Sequence, residues 1–124
     1  MAYVRFSLLQ PRPGEEAAAR RVLDDLDSHL AQADGLLLSL VMGGEGDGLG
    51  RVAIWRSKAE ANREAVSERT LALRSRLQQL TLHTQEHLFE LDSGHFRRGP
   101  DSLVLLDAAP SLDDGVYQAA LPVD

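Results

Sequence analysis

Cysteine is absent from this 124-residue chain, and that one gap excludes disulfide frameworks, thiol catalysis and Cys-ligated zinc or iron–sulfur sites. A reducing cytoplasm suits such a chain, and its length is enough for a single core that needs no covalent staple. Long apolar runs are missing too. The longest, Leu36 to Met42, is interrupted by Ser39 and is far shorter than the roughly 20 residues of a bilayer crossing, so no membrane association is expected. The opening YVRFSLL is strand-like and has neither a basic stretch nor a small-residue cleavage site, unlike a signal peptide. Positive charge is scarce: the formal net charge is −6, whereas a nucleic-acid surface needs clustered Lys and Arg to displace counterions. The basic residues that are present gather between Arg56 and Arg76, six against three acidic, while the stretch after Arg98 holds five aspartates and no Lys or Arg. Two solvated faces are the plain reading of that asymmetry, with docking of the acidic tail on the basic helix as the alternative.

What is present is a clear alternation of periods. Tyr3 to Gln10 is rich in β-branched, aromatic and apolar residues and stops at Pro11-Arg12-Pro13-Gly14, where prolines cannot continue a ladder. Glu15 and Glu16 then place negative charge in a first helical turn, and Ala19, Val22, Leu26, Leu30 and Ala33 recur at helical spacing up to Asp34-Gly35, with Gly35 as the expected C-terminal cap. Leu36 to Met42 reads as a second strand and Leu49 to Trp55 as a third. Between them Gly43-Gly44-Glu45-Gly46-Asp47-Gly48 reads as a hairpin loop and not a phosphate cradle, because no helix follows it. Ser57-Lys58-Ala59-Glu60 matches a capping box. The helix it starts has an apolar side through Ala59, Asn62, Val66, Thr70, Leu73, Leu77 and Leu80, with a polar stretch at Ser67-Glu68-Arg69 where it bends or splits. Leu88 to Leu91 is the fourth strand.

The order β-α-β-β-α-β specifies an α+β, ferredoxin-like antiparallel sheet with its helices on one face. Residues 1–92 form that domain and 93–124 a C-terminal extension, in which Ser102 to Asp107 and Gly115 to Val123 are further extended segments expected to lengthen the sheet or clasp a partner. The helices cover one face only, yet both parities of the strands are apolar: Val4, Phe6 and Leu8 alternate with Tyr3, Arg5, Ser7 and Leu9, and Leu36, Leu38, Leu40 and Met42 with Leu37, Ser39 and Val41. At about 25 cal/mol per Å² of apolar area, covering the second face is worth several kcal/mol, so a second copy of the chain is the expected partner.

Strand one running into Pro-Gly and a helix, a strand pair ending in Ile54-Trp55-Arg56-Ser57-Lys58, a long helix and a final strand resemble the antibiotic biosynthesis monooxygenase family of dimeric α/β barrels over roughly residues 3 to 92. The resemblance implies paired sheets enclosing pockets. It also implies either oxidation of aromatic or polyketide-like compounds without metal or flavin, or haem binding and degradation. For haem it calls for an asparagine on strand one and an aromatic and a histidine along helix two; Ser7, Glu64 and Arg74 stand nearest those places. None is a usual axial ligand or ring-stacking group, which argues against haem, so no cofactor is expected.

Cofactor-free oxidation needs a base, hydrogen-bond donors and apolar walls around an electron-rich substrate. Trp55 is the candidate wall, Tyr3 and Ser7 are candidate donors, Arg5 is a candidate holder of a phenolate or enolate, and His83 or His87 is the candidate base. Against these roles stand plainer ones: Trp55 as core or interface aromatic, Tyr3 and Ser7 as edge-strand polar residues, and Arg5 as a solvent-facing or ion-paired group. His83 and His87 lie four apart at metal-ligand spacing, but no HExxH glutamate accompanies them and His95 is the only further neighbour, so no metal is expected. His29 carries no functional signal, and there is no Gly-x-Ser-x-Gly elbow. Two functions follow: a cofactor-independent monooxygenase-like enzyme, or a noncatalytic dimeric barrel that binds a small apolar ligand or serves assembly. A pocket under the open sheet face holding Trp55 with a buried, perturbed His or Arg favours the first; one filled by Leu and Val favours the second.

Overall fold

Alternation in the first strand decides the layout of the molecule. The computed structural model describes residues 1–99 and 102–107. In β1 (Tyr3–Pro11) the odd-numbered Tyr3 and Leu9 are buried in the core, and the even-numbered Val4, Phe6 and Leu8 point the other way. The chain leaves β1 through Gly14 at φ +83°, a backbone state suited to glycine, and enters α1 (Glu16–Leu30). β2 (Leu36–Gly43) and β3 (Leu49–Trp55) form the expected hairpin, closed by a Gly44 N–H donating to Gly48 O at 2.9 Å. β4 (Thr81–Glu90) completes an antiparallel sheet ordered β2-β3-β1-β4.

The second helix is two helices. α2 (Lys58–Ala65) begins at Ser57, whose hydroxyl accepts from the Glu60 amide at 3.2 Å. The Glu60 carboxylate turns to Arg56 Nε at 3.2 Å, so the return half of the capping box is not made. α3 (Glu68–Gln79) begins at the polar stretch, with Ser67 accepting from Thr70 N at 3.4 Å. This break resets the helical phase. Ala61 is buried in α2 while Ala59 and Asn62 are exposed and Val66 is 69% exposed, whereas Thr70, Leu73 and Leu77 of α3 face the core as expected.

Two further boundaries differ from the sequence reading. α1 ends at Leu30, before Gly35, because Ala31 to Gly35 form turns; Gly35 at φ +87° serves the entry to β2, where its carbonyl accepts from Arg56 N at 2.7 Å. β4 starts at Thr81 instead of Leu88, since pairing with β1 from Tyr3 to Pro11 holds even the polar residues Thr84 to His87 in register. The core is two adjoining clusters between sheet and helices, one around Tyr3, Leu26, Leu30, Ala53 and Trp55, the other around Leu9, Ala19, Leu23, Leu77 and Leu80. β5 (Ser93–Gly99) pairs with β6 (Ser102–Asp107) in a separate two-stranded sheet, so β6 does not lengthen the main sheet. The segment Gly115 to Val123 lies outside the described residues.

Candidate active site

The odd-numbered face of β1 and β3 carries more than apolar side chains. Arg5 and Ser7 on β1 and Arg51 on β3 lie in the same rows as Leu9 and Trp55, so the alternation that buries the core also carries polar groups beneath the helices. There they line a cavity of about 60 Å³ with Leu23, Leu26 and Leu30 of α1, Ala61 and Ala65 of α2, Thr70, Arg74 and Leu77 of α3, and Thr84 and Glu86 of β4. Room on that scale takes a few water molecules or a small polar head. A wider hollow of about 440 Å³ adjoins it, because Arg5, Ala65, Arg74 and Glu86 line both.

Charge in the cavity is organised by two carboxylates. Glu86 bridges two guanidiniums, with Arg5 Nε 3.0 Å from Oε1 and Arg74 Nη2 donating to Oε2 at 2.8 Å. Asp27 of α1 accepts from the Ser39 hydroxyl and from Arg51 Nε at 3.4 Å, and Arg51 Nη2 donates to Ser39 Oγ at 2.9 Å. Burial holds the Arg51 guanidinium below its ordinary range; Asp27 opposes that shift, and the positive charges of Arg5 and Arg74 add to it. Arg51 thus feels the charges of Arg5 and Arg74 across the cavity. Among the described residues, the buried side-chain polar atoms without a hydrogen bond are Arg5 Nε, Trp55 Nε1 and His29 Nε2, and the first two belong to residues lining the cavity. For Arg5 the ion pair to Glu86 lacks hydrogen-bond alignment; for Trp55, 2% exposed, the N–H has no partner. A buried donor without an acceptor is uncommon enough to mark a place that a ligand or water completes.

The sequence candidates divide between the faces of the sheet. Trp55, Arg5 and Ser7 meet at the cavity on the helix side, and not under the open face. Tyr3 packs beside Trp55 in the core with its ring 6.0 Å from Lys58 Nζ, outside the cavity lining. His87 opposes Phe6 across β1 and β4, the rings 6.4 Å apart edge to face, and His83 opposes Gln10. Both histidines therefore share the open face with Val4, Phe6 and Leu8, and the period of the strand sets them on the side of the sheet away from Trp55. Arg51, Arg74 and Glu86 were not singled out as a charged set. Arg51 is legible, because it shares parity with Trp55; Glu86 is not, because Thr81 to His87 lacks the apolar character that marks Leu88 to Leu91 as a strand. Among the described residues no three His, Asp or Glu side chains gather to hold a metal, and no helix is long and apolar enough to cross a membrane.

No protein-family model and no curated protein matches the chain. Solved structures do. SnoaB, a cofactor-independent oxygenase from Streptomyces nogalater, superposes with a TM-score of 0.66 at 15% identity over 73% of this chain and 92% of that one. A candidate antibiotic biosynthesis monooxygenase from Chloroflexus aurantiacus gives 0.67 at 16% over 77% and 97%, and another from Deinococcus radiodurans 0.66 at 17% over 73% and 92%. The fold is that of the antibiotic biosynthesis monooxygenase-like proteins. At these identities the likeness is one of backbone architecture, an α+β fold with a four-stranded antiparallel sheet. What the monooxygenase-like fold is used for in this chain has to be argued from the cavity.

Proposed function

We propose that the chain is a cofactor-independent monooxygenase-like protein acting on an aromatic or polyketide-like small molecule, with the helix-side cavity as its site. The observation carrying this reading is Trp55, its indole N–H unpartnered, beside the buried and perturbed Arg51 in one cavity with Arg5, Arg74 and Glu86. The reaction suited to such a lining starts at an acidic methylene flanked by aromatic rings or a carbonyl. Loss of a proton gives an enolate that the guanidiniums hold; the carbon bonds to dioxygen, the O–O bond breaks, water leaves and a carbonyl remains, so that one oxygen atom enters the product. Glu86 is the carboxylate that lines the cavity and takes the base role, while Ser7 and Trp55 donate hydrogen bonds. His83 and His87, facing away, take part instead in the contact between copies.

Assembly belongs to the same reading: a homodimer forms through the open sheet face, where Leu8 is 41%, Leu40 49% and Phe89 56% exposed in the single chain. Oxygen uptake with an anthrone, whose methylene is both acidic and electron-rich, tests the chemistry. One O₂ consumed per quinone formed, at a rate well above buffer and reduced about a hundredfold by Glu86→Gln, is the expected outcome. No protein-dependent uptake across a set of anthrones would leave the noncatalytic barrel binding a small ligand, a reading that the cavity's modest 60 Å³ favours.

A further inference from the structure

Counting charges and donors around the cavity leaves an imbalance with a direction. Arg5, Arg51 and Arg74 line it, against Glu86 in the lining and Asp27 behind Arg51. With both carboxylates engaged, one positive charge has no counterpart among these groups, and it lies where solvent screens it poorly: the Arg51 side chain is 6% exposed and that of Arg5 13%. Hydrogen bonding points the same way. Of the two lining atoms left without a hydrogen bond, Arg5 Nε faces Glu86 Oε1 at 3.0 Å and Trp55 Nε1 has no partner; both are N–H donors, and no lining acceptor is among the buried atoms left without one. A surplus of positive charge and of donors inside apolar walls is complementary to one kind of guest.

We propose that the cavity selects compounds carrying a single negative charge on oxygen, a carboxylate, phenolate or enolate, attached to an apolar body. The anionic oxygen occupies the 60 Å³ space beneath Trp55, Arg5 and Arg51, in contact with Leu9, Leu26 and Leu30, and the apolar body extends into the adjoining 440 Å³ hollow beside Leu71 and Leu88. Arg74 and Glu86, which line both spaces, stand at the passage between them. The inference rests on the cavity being the substrate site, and it adds what the fold alone does not say: an uncharged isostere is a poor ligand, because it leaves the surplus guanidinium charge unanswered.

Trp55 is the single tryptophan of the chain, so its fluorescence reports from the cavity itself. The full chain is titrated with benzoate and with benzamide, a neutral molecule of the same shape. The expected result is a saturable fluorescence change with benzoate at about tenfold or more lower concentration than with benzamide. That preference falls in Arg74→Gln and is partly recovered in Arg74→Lys, each variant being checked by its melting curve. Equal responses to the two probes, or no saturable response to benzoate, overturn the proposal; should Arg74→Gln fail to fold, the benzoate-to-benzamide ratio of the unaltered protein decides alone. The oxygen-uptake assay separates the two readings. Benzoate preference without turnover of any anthrone leaves an anion-binding barrel, and anthrone turnover without benzoate preference leaves an oxygenase that does not select by charge.

Discussion

Single residues show how much of this chain's behaviour depends on what surrounds a side chain. Gly14 and Gly35 have nearly the same backbone angle, φ +83° and +87°, so each resists a side chain through left-handed strain of about 1 kcal/mol. Their surroundings differ. A Cβ on Gly14 meets nothing within 4 Å, whereas one on Gly35 comes within 2.6 Å of Glu60 Cδ and 2.9 Å of Glu60 Cβ, in the first turn of α2. Gly14→Ala is therefore expected to cost about 1 kcal/mol and Gly35→Ala clearly more. Urea unfolding of the two variants measures the difference, and equal losses would show that Glu60 moves aside freely. Parity acts at the same scale: Arg51, two residues from Ala53 and four from Trp55, is buried because it shares their side of β3.

Among the elements, the interrupted second helix has the most specific cause. Ser67 caps α3 through Thr70 N, and its hydroxyl also donates to Glu64 Oε1 at 3.0 Å. The same oxygen accepts from Thr70 Oγ1 at 3.1 Å and lies 3.0 Å from His29 Nε2. The break is thus tied to His29 of α1 across the helix layer. Ser67→Ala is expected to lower stability by about 1 kcal/mol, the usual worth of a lost N-cap, with a fall in helicity by circular dichroism as α3 frays. Unchanged stability would mean that the Glu64 cluster alone holds the break. This split was legible from Ser67-Glu68-Arg69, but the resulting change of phase was not: Ala59, Asn62 and Val66 fit a continuous helix, and only the restart at Ser67 turns Ala61 inward instead.

For the whole molecule the decisive feature is a sheet with two differently used faces. One carries the three helices and the polar cavity beneath them; the other shows Leu8, Leu40 and Phe89 to solvent in the single chain. If two copies close over the second face, a charge placed there separates them without disturbing the protomer core, because the residue is already exposed in the protomer. Leu40→Glu is expected to convert a dimer into a folded monomer, read by light scattering during size exclusion. A chain that is monomeric to begin with, or a variant that stays dimeric, would remove the open face from the assembly. His83 and His87 lie on this face too, opposite Gln10 and Phe6 of β1.

Local periodicity and turn chemistry by themselves determined the strand and helix order, the glycine hairpin, the Ser57 cap and the two-sided apolar character of the sheet, because each depends on neighbours within a few residues. Tertiary structure decided the rest. The polar strand β4 exists from Thr81 because β1 offers it a ladder, and only that register brings Glu86 beside Arg5 while turning His83 and His87 away. Likewise Arg51, Arg5 and Arg74 stand far apart along the chain and become one charged site only when sheet and helices close over them, since long-range electrostatics is a property of positions in space and not of order in sequence.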